Sequence, residues 1–214
     1  MQVIAIDGPS GSGKSTVSRL LAERLGVARL DTGAMYRAVA LLALRLKIDL
    51  EDGELLAGLA QKMNLQVDER VLLDGDDVSD EIRTKEIDRT VPFVARQVRV
   101  REELVRRQRS WADTHGGGVV EGRDIGSVVF PNAALKVYLT ASEAERARRR
   151  AVERTTDDAA ATGAMKMTAE AIAERDGIDS SREASPLLVA EGAVVLDSTG
   201  LSVDEVVSKI VALL

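Results

Sequence analysis

One short string near the N-terminus constrains the fold of this chain more than any other feature. The segment GPSGSGKS, from Gly8 to Ser15, matches the pattern G-x-x-x-x-G-K-[ST]. The apolar run from Val3 to Ile6 precedes it, and apolar residues at helical spacing follow it as far as Leu25. Such a loop binds phosphate because its backbone N–H groups and the N-terminus of the following helix converge on an anion. The string therefore predicts a nucleoside triphosphate site in an α/β fold.

The residue types in this loop suit a triphosphate. Gly8, Gly11 and Gly13 allow the backbone to wrap closely around the phosphates. Lys14 can reach the β- and γ-phosphates and is a candidate catalytic residue, and the Ser15 hydroxyl can bind Mg²⁺. The residues expected to bind the nucleotide are Gly8, Pro9, Ser10, Gly11, Ser12, Gly13, Lys14, Ser15 and Thr16.

The rest of the chain alternates between short apolar runs and helical patterns, which predicts a parallel sheet flanked by helices. Strands are expected at 3–6, 27–30, 119–120, 135–139 and 193–196, and helices at 14–25, 33–47 and 203–214. Asp31 or Thr32 is the expected cap of the second helix. Turn signals within residues 64–82 predict a small antiparallel insert, and residues 155–169 have the composition of a mobile loop or lid.

Composition excludes several classes of protein. The formal charge is −6, from 35 acidic and 29 basic side chains, which argues against a protein that coats nucleic acid or anionic membranes. The chain has no cysteine, which excludes disulfides, thiolate metal sites and a cysteine nucleophile. Its longest apolar run, Ala38 to Leu44, is far shorter than the ~20 residues of a membrane span. We expect a cytoplasmic monomer that binds neither nucleic acid nor membranes.

A phosphate-binding loop serves GTPases, ATP-driven machines and small-molecule kinases alike. The guanine-reading string N-K-x-D is absent, which argues against a GTPase. Asp31 or Glu121 could organise a metal in an ATPase, so acidic residues alone leave that class open.

The arginines favour a kinase. Of 22 arginines, six lie in residues 96–109 and five in residues 146–154, where a solvated helical face is the alternative explanation. Phosphoryl transfer needs cations around a spreading negative charge, and a moving loop can deliver them while excluding water. Arg146, Arg149 and Arg150 directly precede the loop-like segment and are therefore candidate catalytic residues. The pattern indicates a kinase with a small acceptor.

Four further strings carry a family resemblance: DTGAMYR at 31–37, RVRE at 99–102, EGRDIG at 121–126 and RDGIDSSR at 175–182. With the phosphate-binding loop they resemble the bacterial cytidylate kinases, a family of nucleoside monophosphate kinases. VVFPNA at 128–133 and VVLDST at 194–199 extend the resemblance over nearly the whole chain. The resemblance implies transfer of the γ-phosphate of ATP to CMP or dCMP, with Mg²⁺ as cofactor.

The same resemblance implies three parts and a set of acceptor residues. Residues 1–31, 115–145 and 169–214 would form the core, 32–114 the monophosphate-binding region with its small sheet, and 146–168 a helical lid. Arg37, Arg123 and Arg182 match positions that gather the acceptor phosphate, Arg101 and Asp124 those that read cytosine, and Arg175 and Asp179 those that bind the sugar. The full expected acceptor set is Thr32, Gly33, Tyr36, Arg37, Arg101, Arg123, Asp124, Arg175, Asp179 and Arg182.

One position departs from the family pattern. The family usually has a serine near the base where this chain has Pro92, which offers neither a hydroxyl nor a backbone donor. Selectivity among CMP, dCMP and UMP is therefore open at this point. The alternatives to a cytidylate kinase are a kinase for another small acceptor, such as UMP or a shikimate-like hydroxyl compound, and a nucleotide-dependent switch protein.

Overall fold

The structure is a computed structural model that describes residues 2–154, 172–173, 176–178, 180 and 187–214. The strands are β1 (Gln2–Asp7), β2 (Arg29–Asp31), β3 (Leu65–Val67), β4 (Val71–Leu73), β5 (Asp76–Asp77), β6 (Gly117–Glu121), β7 (Leu135–Thr140) and β8 (Val194–Asp197). The longer helices are α1 (Lys14–Leu25), α2 (Thr32–Leu46), α3 (Gly53–Lys62), α4 (Lys85–Arg96), α5 (Val98–His115), α6 (Glu143–Arg154) and α7 (Val203–Val211). A 3-10 helix covers Glu81–Arg83, and a π-helical turn covers Ile125–Val129.

Five parallel strands form the central sheet in the order β2-β6-β1-β7-β8. Their side chains alternate between two helical layers: Val3 and Ala5 of β1 belong to the core on the α2 and α5 side, whereas Ile4 and Ile6 belong to the core on the α1 and α7 side. Burial on both faces explains why β1 and β6, inside the sheet, are short runs of buried residues, whereas the edge strand β8 exposes three of its four residues. The predicted fold class, a parallel sheet flanked by helices, is confirmed.

The predicted insert is also present. β3, β4 and β5 form a three-stranded antiparallel sheet within residues 65–77, with Gln66 opposite Leu72 and Leu72 opposite Asp77. One face of this small sheet is apolar, and Val67, Val71 and Leu73 join the core that also contains α2. A three-stranded sheet of this size needs such support because it cannot bury enough apolar area alone.

Local signals account for most helix boundaries. Lys14–Leu25 forms the helix that its spacing predicts, and Gly26 ends it in the left-handed conformation at φ 65°. α2 begins one residue earlier than expected because the Asp31 side chain accepts a hydrogen bond from Ala34 N. α7 begins with a capping box between Ser202 and Glu205.

The second strand differs from the prediction. It was expected at 27–30 and lies at Arg29–Asp31. The reason is the end of α1, where Val27 N donates to Ala22 O at 3.0 Å and so still completes the helix cap. Only the residues that follow Val27 are therefore available to pair with β6.

Two further expectations concern membrane-spanning helices and the lid. Among the helices of the described residues, none has the length and apolar character of a membrane span. α6 covers the start of the predicted lid at residues 146–154, and residues 155–168, which complete it, lie outside the described residues.

Candidate active site

A cleft runs along the carboxyl ends of the central strands, where the loops after parallel strands meet. The phosphate-binding loop follows β1, and Asp31 and Glu121 stand opposite each other at the ends of β2 and β6. The residues that line the cleft are Ser10, Gly11, Gly13, Lys14, Ser15, Thr16, Asp31, Thr32, Gly33, Tyr36, Arg37, Arg83, Val91, Ala95, Arg101, Glu121, Gly122, Arg123 and Asp124. The cleft thus brings together the nucleotide loop and all seven expected acceptor residues that the structure describes.

The loop closes tightly over the sheet. Gly8 has φ 148°, and a Cβ atom there would lie 2.0 Å from the carbonyl oxygen of Leu139. Only glycine fits such an approach. Gly8, Pro9 and Ser12 form the base of the loop rather than the wall of the cleft, since none of the three lines it.

Lys14 is buried and folded back onto its own loop. Its Nζ donates to Pro9 O at 2.7 Å and contacts the Ser12 hydroxyl at 3.4 Å. Burial, and secondarily the nearby Arg123 guanidinium, hold the pKa of Lys14 well below its usual value. Both side chains line the cleft, and an anion bound between them would relieve their repulsion.

Ser15 belongs to a buried polar network centred on Glu121. The Ser15 hydroxyl donates to Glu121 Oε2 at 2.9 Å, and the Ser18 hydroxyl donates to Oε1 at 2.9 Å. Arg29 pairs with the same carboxylate at 2.7 Å. Burial, and secondarily the charge of Asp31, raise the pKa of Glu121, and Arg29 opposes this rise.

This network fits a divalent metal that is shared with a triphosphate. A hydroxyl and a carboxylate are hard oxygen donors, as Mg²⁺ prefers. Among the described residues, no group of three or more histidine or acidic side chains could hold a metal without other ligands. Phosphate oxygens and water would therefore have to complete the shell, which is the usual arrangement at a nucleotide.

The opposite wall carries guanidinium groups that protein partners already orient. Arg37 donates to Ile82 O at 2.9 Å and pairs with Asp88 at 2.6 Å. Arg101 pairs with Asp124, and both side chains are at least 90% buried. The Nε atom of Arg101 is buried and has no hydrogen-bond partner within the described part of the chain.

Pro92 lies inside α4, where the cleft is lined by its neighbours Val91 and Ala95. α4 therefore presents an apolar surface to the cleft and no hydroxyl. Arg101 and Asp124 line the same cleft with polar side chains.

The whole chain, including these motifs, is similar to proteins of a known family. A family model described as cytidylate kinase matches residues 4–214. The chain belongs to the cytidylate kinase family. Among curated relatives, the cytidylate kinase of Pelotomaculum thermopropionicum is 50% identical over 98% of this chain and 94% of its own length. The cytidylate kinases of Desulforamulus reducens and Bacillus cereus are 49% and 43% identical, with 97% and 98% of this chain covered and 94% of each relative. The predicted resemblance is confirmed.

Similarity to solved structures supports the fold alone. An uncharacterized protein from Eubacterium ventriosum superposes with a TM-score of 0.55 at 12% identity, covering 100% of this chain and 98% of its own. At that identity the comparison carries the architecture and nothing about the reaction.

In this member of the cytidylate kinase family, most arginines of the first cluster, residues 96–109, form ion pairs or hydrogen bonds with other residues of the chain. Arg96 pairs with Glu51, Arg99 with Glu54, Arg106 and Arg107 with Glu103, and Arg109 donates to the carbonyls of Val128 and Val129. Within this cluster, Arg101 lines the cleft.

Two arginines of the second cluster, residues 146–154, donate hydrogen bonds to backbone carbonyls of the nucleotide loop. Arg149 donates to Ser12 O at 3.2 Å and to Ser198 Oγ at 2.9 Å. Arg146 donates to Ser10 O at 3.1 Å and pairs with Asp176. Neither arginine lines the cleft in this structure.

Four expected site residues cannot be placed. Arg175, Asp179 and Arg182 lie outside the described residues, and so does the side chain of Arg150. Asp176, one residue after Arg175 in the same string, is described and accepts a hydrogen bond from Ser10 N at 2.9 Å.

The sequence reasoning missed several residues of the site. Gly122 stands in the EGRDIG string, which could have indicated it, and Glu121, which ends a strand beside the nucleotide loop, was considered only as the metal-organising acid of an ATPase. Arg83, which lies 3.7 Å from Asp31, and the apolar residues Val91 and Ala95 had no local signal. Their place in the cleft follows from how α4 and the 3-10 helix pack on α2.

Proposed function

We propose that the chain transfers the γ-phosphoryl group of ATP to the phosphate of CMP or dCMP, which yields ADP and CDP or dCDP. One observation carries the proposal. The nucleotide loop and the seven described acceptor residues of the family motifs line the same cleft, and the charge of Arg123 lowers the pKa of Lys14. Transfer between two bound anions needs this juxtaposition because most of the catalysis comes from positioning and charge.

The donor half of the cleft would hold ATP. Backbone N–H groups of the loop and the N-terminus of α1 bind the phosphates, and the ammonium of Lys14 exchanges its contact with Pro9 for phosphate oxygens. Ser15 and Glu121 would hold Mg²⁺, which would neutralise charge on the phosphates when bound. Arg29 keeps the Glu121 carboxylate oriented.

The acceptor half would hold the monophosphate. Arg37 and Arg123, with Arg182 from the last motif, are the proposed phosphate ligands, because forked guanidinium donors match phosphate oxygens. Asp88 fixes the direction of Arg37, so little side-chain entropy is lost on binding. Arg175 and Asp179 are the proposed sugar ligands.

The Arg101–Asp124 pair would read cytosine. The carboxylate accepts from the exocyclic amine of the base, and the Arg101 guanidinium donates to a ring acceptor. Uracil presents a carbonyl where cytosine has its amine, so it would face the carboxylate of Asp124 and be rejected. Because α4 adds no hydroxyl, we propose that this pair carries most of the base selectivity.

The reaction needs no general base because the acceptor phosphate is already an anion. The chain supplies cations and excludes water. We propose that Arg146, Arg149 and Arg150, in the lid, contribute positive charge that stabilises the transferred phosphoryl group. We propose that residues 32–114 bind the acceptor, that residues 146–168 form the lid, and that the remaining core binds the nucleotide. Cytoplasmic location and a monomeric state stay predictions.

A coupled assay for ADP release tests the proposal with ATP and a panel of acceptors. We expect efficient turnover of CMP and dCMP, weaker turnover of UMP, and none of AMP or shikimate. Preference for a hydroxyl acceptor would move the chain to another class of kinase. Slow hydrolysis that is independent of every acceptor would indicate a switch protein.

Substitution of Glu121 by glutamine tests the metal site. The neutral side chain keeps the shape but weakens the charge that holds the metal, so the Mg²⁺ concentration for half-maximal rate should rise by about 10-fold or more. Titration of activity with Mg²⁺ at saturating CMP gives the measurement. Glu23→Gln on the exposed face of α1 is the matched control and should leave the titration unchanged. Equal titrations for Glu121→Gln and wild type would remove Glu121 from the metal site.

A further inference from the structure

A buried carboxylate outside the cleft joins the two halves of the site. Asp7 is the last residue of β1 and directly precedes Gly8, and it is 5% exposed. Its two oxygens accept hydrogen bonds from Ile125 N at 2.8 Å and Gly126 N at 2.7 Å. Asp7 does not line the cleft, and the proposed reaction does not use it.

The two amides belong to the turn that presents the acceptor residues. Arg123 and Asp124 directly precede the π-helical turn Ile125–Val129, and Asp124 occupies the position of its N-cap. The Asp124 side chain makes no capping bond, because its carboxylate pairs with Arg101. Asp7 supplies the capping oxygens in its place, which leaves the Asp124 carboxylate free to face the cleft.

The other end of the same turn is held from α5. Arg109 donates to Val129 O and to Val128 O, each at 3.0 Å. The turn is therefore fixed at its amide end by β1 and at its carbonyl end by α5. Because both ends of the turn are held, we expect Arg123 and Asp124, which directly precede it, to keep a fixed position relative to the nucleotide loop.

The charge of Asp7 is unfavourable for stability, which argues for a role beyond holding the fold. Burial, with a smaller contribution from the charge of Asp124, raises its pKa to about 6, although its two amide hydrogen bonds and Lys14 lower it. A carboxyl whose pKa is higher in the folded state stabilises the protein below its unfolded pKa, and this contribution is lost as the pH rises through about 6. At neutral pH the ionised carboxylate is therefore retained at a cost.

We propose that Asp7 is a positioning residue that sets the base-reading turn in register with the nucleotide loop. A single residue is peptide-bonded to the loop at Gly8 and hydrogen-bonded to the turn that carries Asp124. It thereby sets the distance between the donor phosphates and the acceptor base. The inference rests on the proposed function, since its kinetic effect is read with CMP as the acceptor.

Asp7→Asn tests the inference. The amide keeps the size of the side chain but can accept only one of the two hydrogen bonds, so the turn loosens at one amide. We expect the KM for CMP to rise by about 10-fold or more, because small displacements of binding groups cost that much. The KM for ATP should change less than about twofold, and selectivity for CMP over UMP should fall, since Asp124 loses its fixed position.

Ile210→Val, on the buried face of α7, is the control for a general loss of stability. It should lower the denaturation midpoint without separating the two KM values. If Asp7→Asn does not fold, Arg109→Gln releases the other end of the turn and is judged by the same criteria. Equal changes in both KM values, or an unchanged KM for CMP, would overturn the inference.

Hydrogen exchange separates this inference from the proposed function. In Asp7→Asn the amide that loses its acceptor, Ile125 N or Gly126 N, should exchange about 10-fold faster or more, whether or not CMP is the acceptor. If wild type fails to phosphorylate CMP while this amide exchanges faster in the variant, the proposed function fails and the anchoring of the turn stands. Unchanged exchange at both amides would overturn the positioning role itself.

Discussion

Lys14→Ala should lower kcat by about 10³-fold, which corresponds to about 4 kcal/mol of transition-state stabilisation. The ammonium is a buried cation at the start of α1, where we propose that the phosphates bind, and the charge of Arg123 acts on it. Burial depresses the pKa of this amine, so its charge is held at a cost and its removal should not unfold the protein. Single-turnover rates with ATP and CMP provide the measurement.

The control for this experiment is Lys62→Ala, at the exposed end of α3. It removes the same charge far from the loop and should leave kcat within about twofold of wild type. Thermal unfolding of both variants establishes that the fold is retained. A folded Lys14→Ala variant with near wild-type kcat would falsify the assignment of the loop as the catalytic nucleotide site.

Asp124→Ala should raise the KM for CMP by about 30-fold, the equivalent of a charged hydrogen bond of about 2 kcal/mol. The KM for ATP should change little, because Asp124 stands on the acceptor side of the cleft. The substitution also leaves Arg101 buried without its partner, so the free energy of unfolding should fall by about 3–5 kcal/mol. Initial rates and urea denaturation measure the two effects separately.

Asp124→Asn separates the two effects within one position. Its amide can accept from the amine of cytosine or donate to the carbonyl of uracil, so the preference for CMP over UMP should fall by about 10-fold. Asp113→Ala, on the exposed surface of α5, is the matched control and should change neither KM. Equal increases in the KM values for CMP and ATP after Asp124→Ala would place Asp124 outside the base site.

The predictable parts of this protein are those that depend on nearby residues. The nucleotide loop, α1 and its end at Gly26 follow from a contiguous run of glycine, lysine and apolar positions. The antiparallel insert follows from turn residues between short β-rich segments. The error at the second strand, which begins at Arg29, arose because the cap of α1 extends through Val27, and apolar character alone does not distinguish a cap residue from a strand residue.

The arginine clusters show where local reasoning stops. Arg106 and Arg107 pair with Glu103, and Arg148 and Arg149 pair with Glu145, at the spacing of neighbours on one helical face. Arg101 belongs to the same run, but its partner Asp124 is 23 positions away and both are buried. Residue type and spacing along the helix are alike in both cases, so only the packing of α5 against the following turn distinguishes them.

The sequence by itself determined the fold class, the nucleotide loop and the family, because each is written in contiguous motifs and in the period of apolar residues. Only the tertiary structure decided which charges work together. Glu121 meets Ser15 across 106 positions, and Asp7 meets Ile125 across 118. These contacts depend on the strand order, which places β6 beside β1 and brings the ends of both strands to one edge of the sheet. A one-dimensional pattern specifies which groups the chain carries, whereas the energy of a buried charge depends on the partner that folding brings to it.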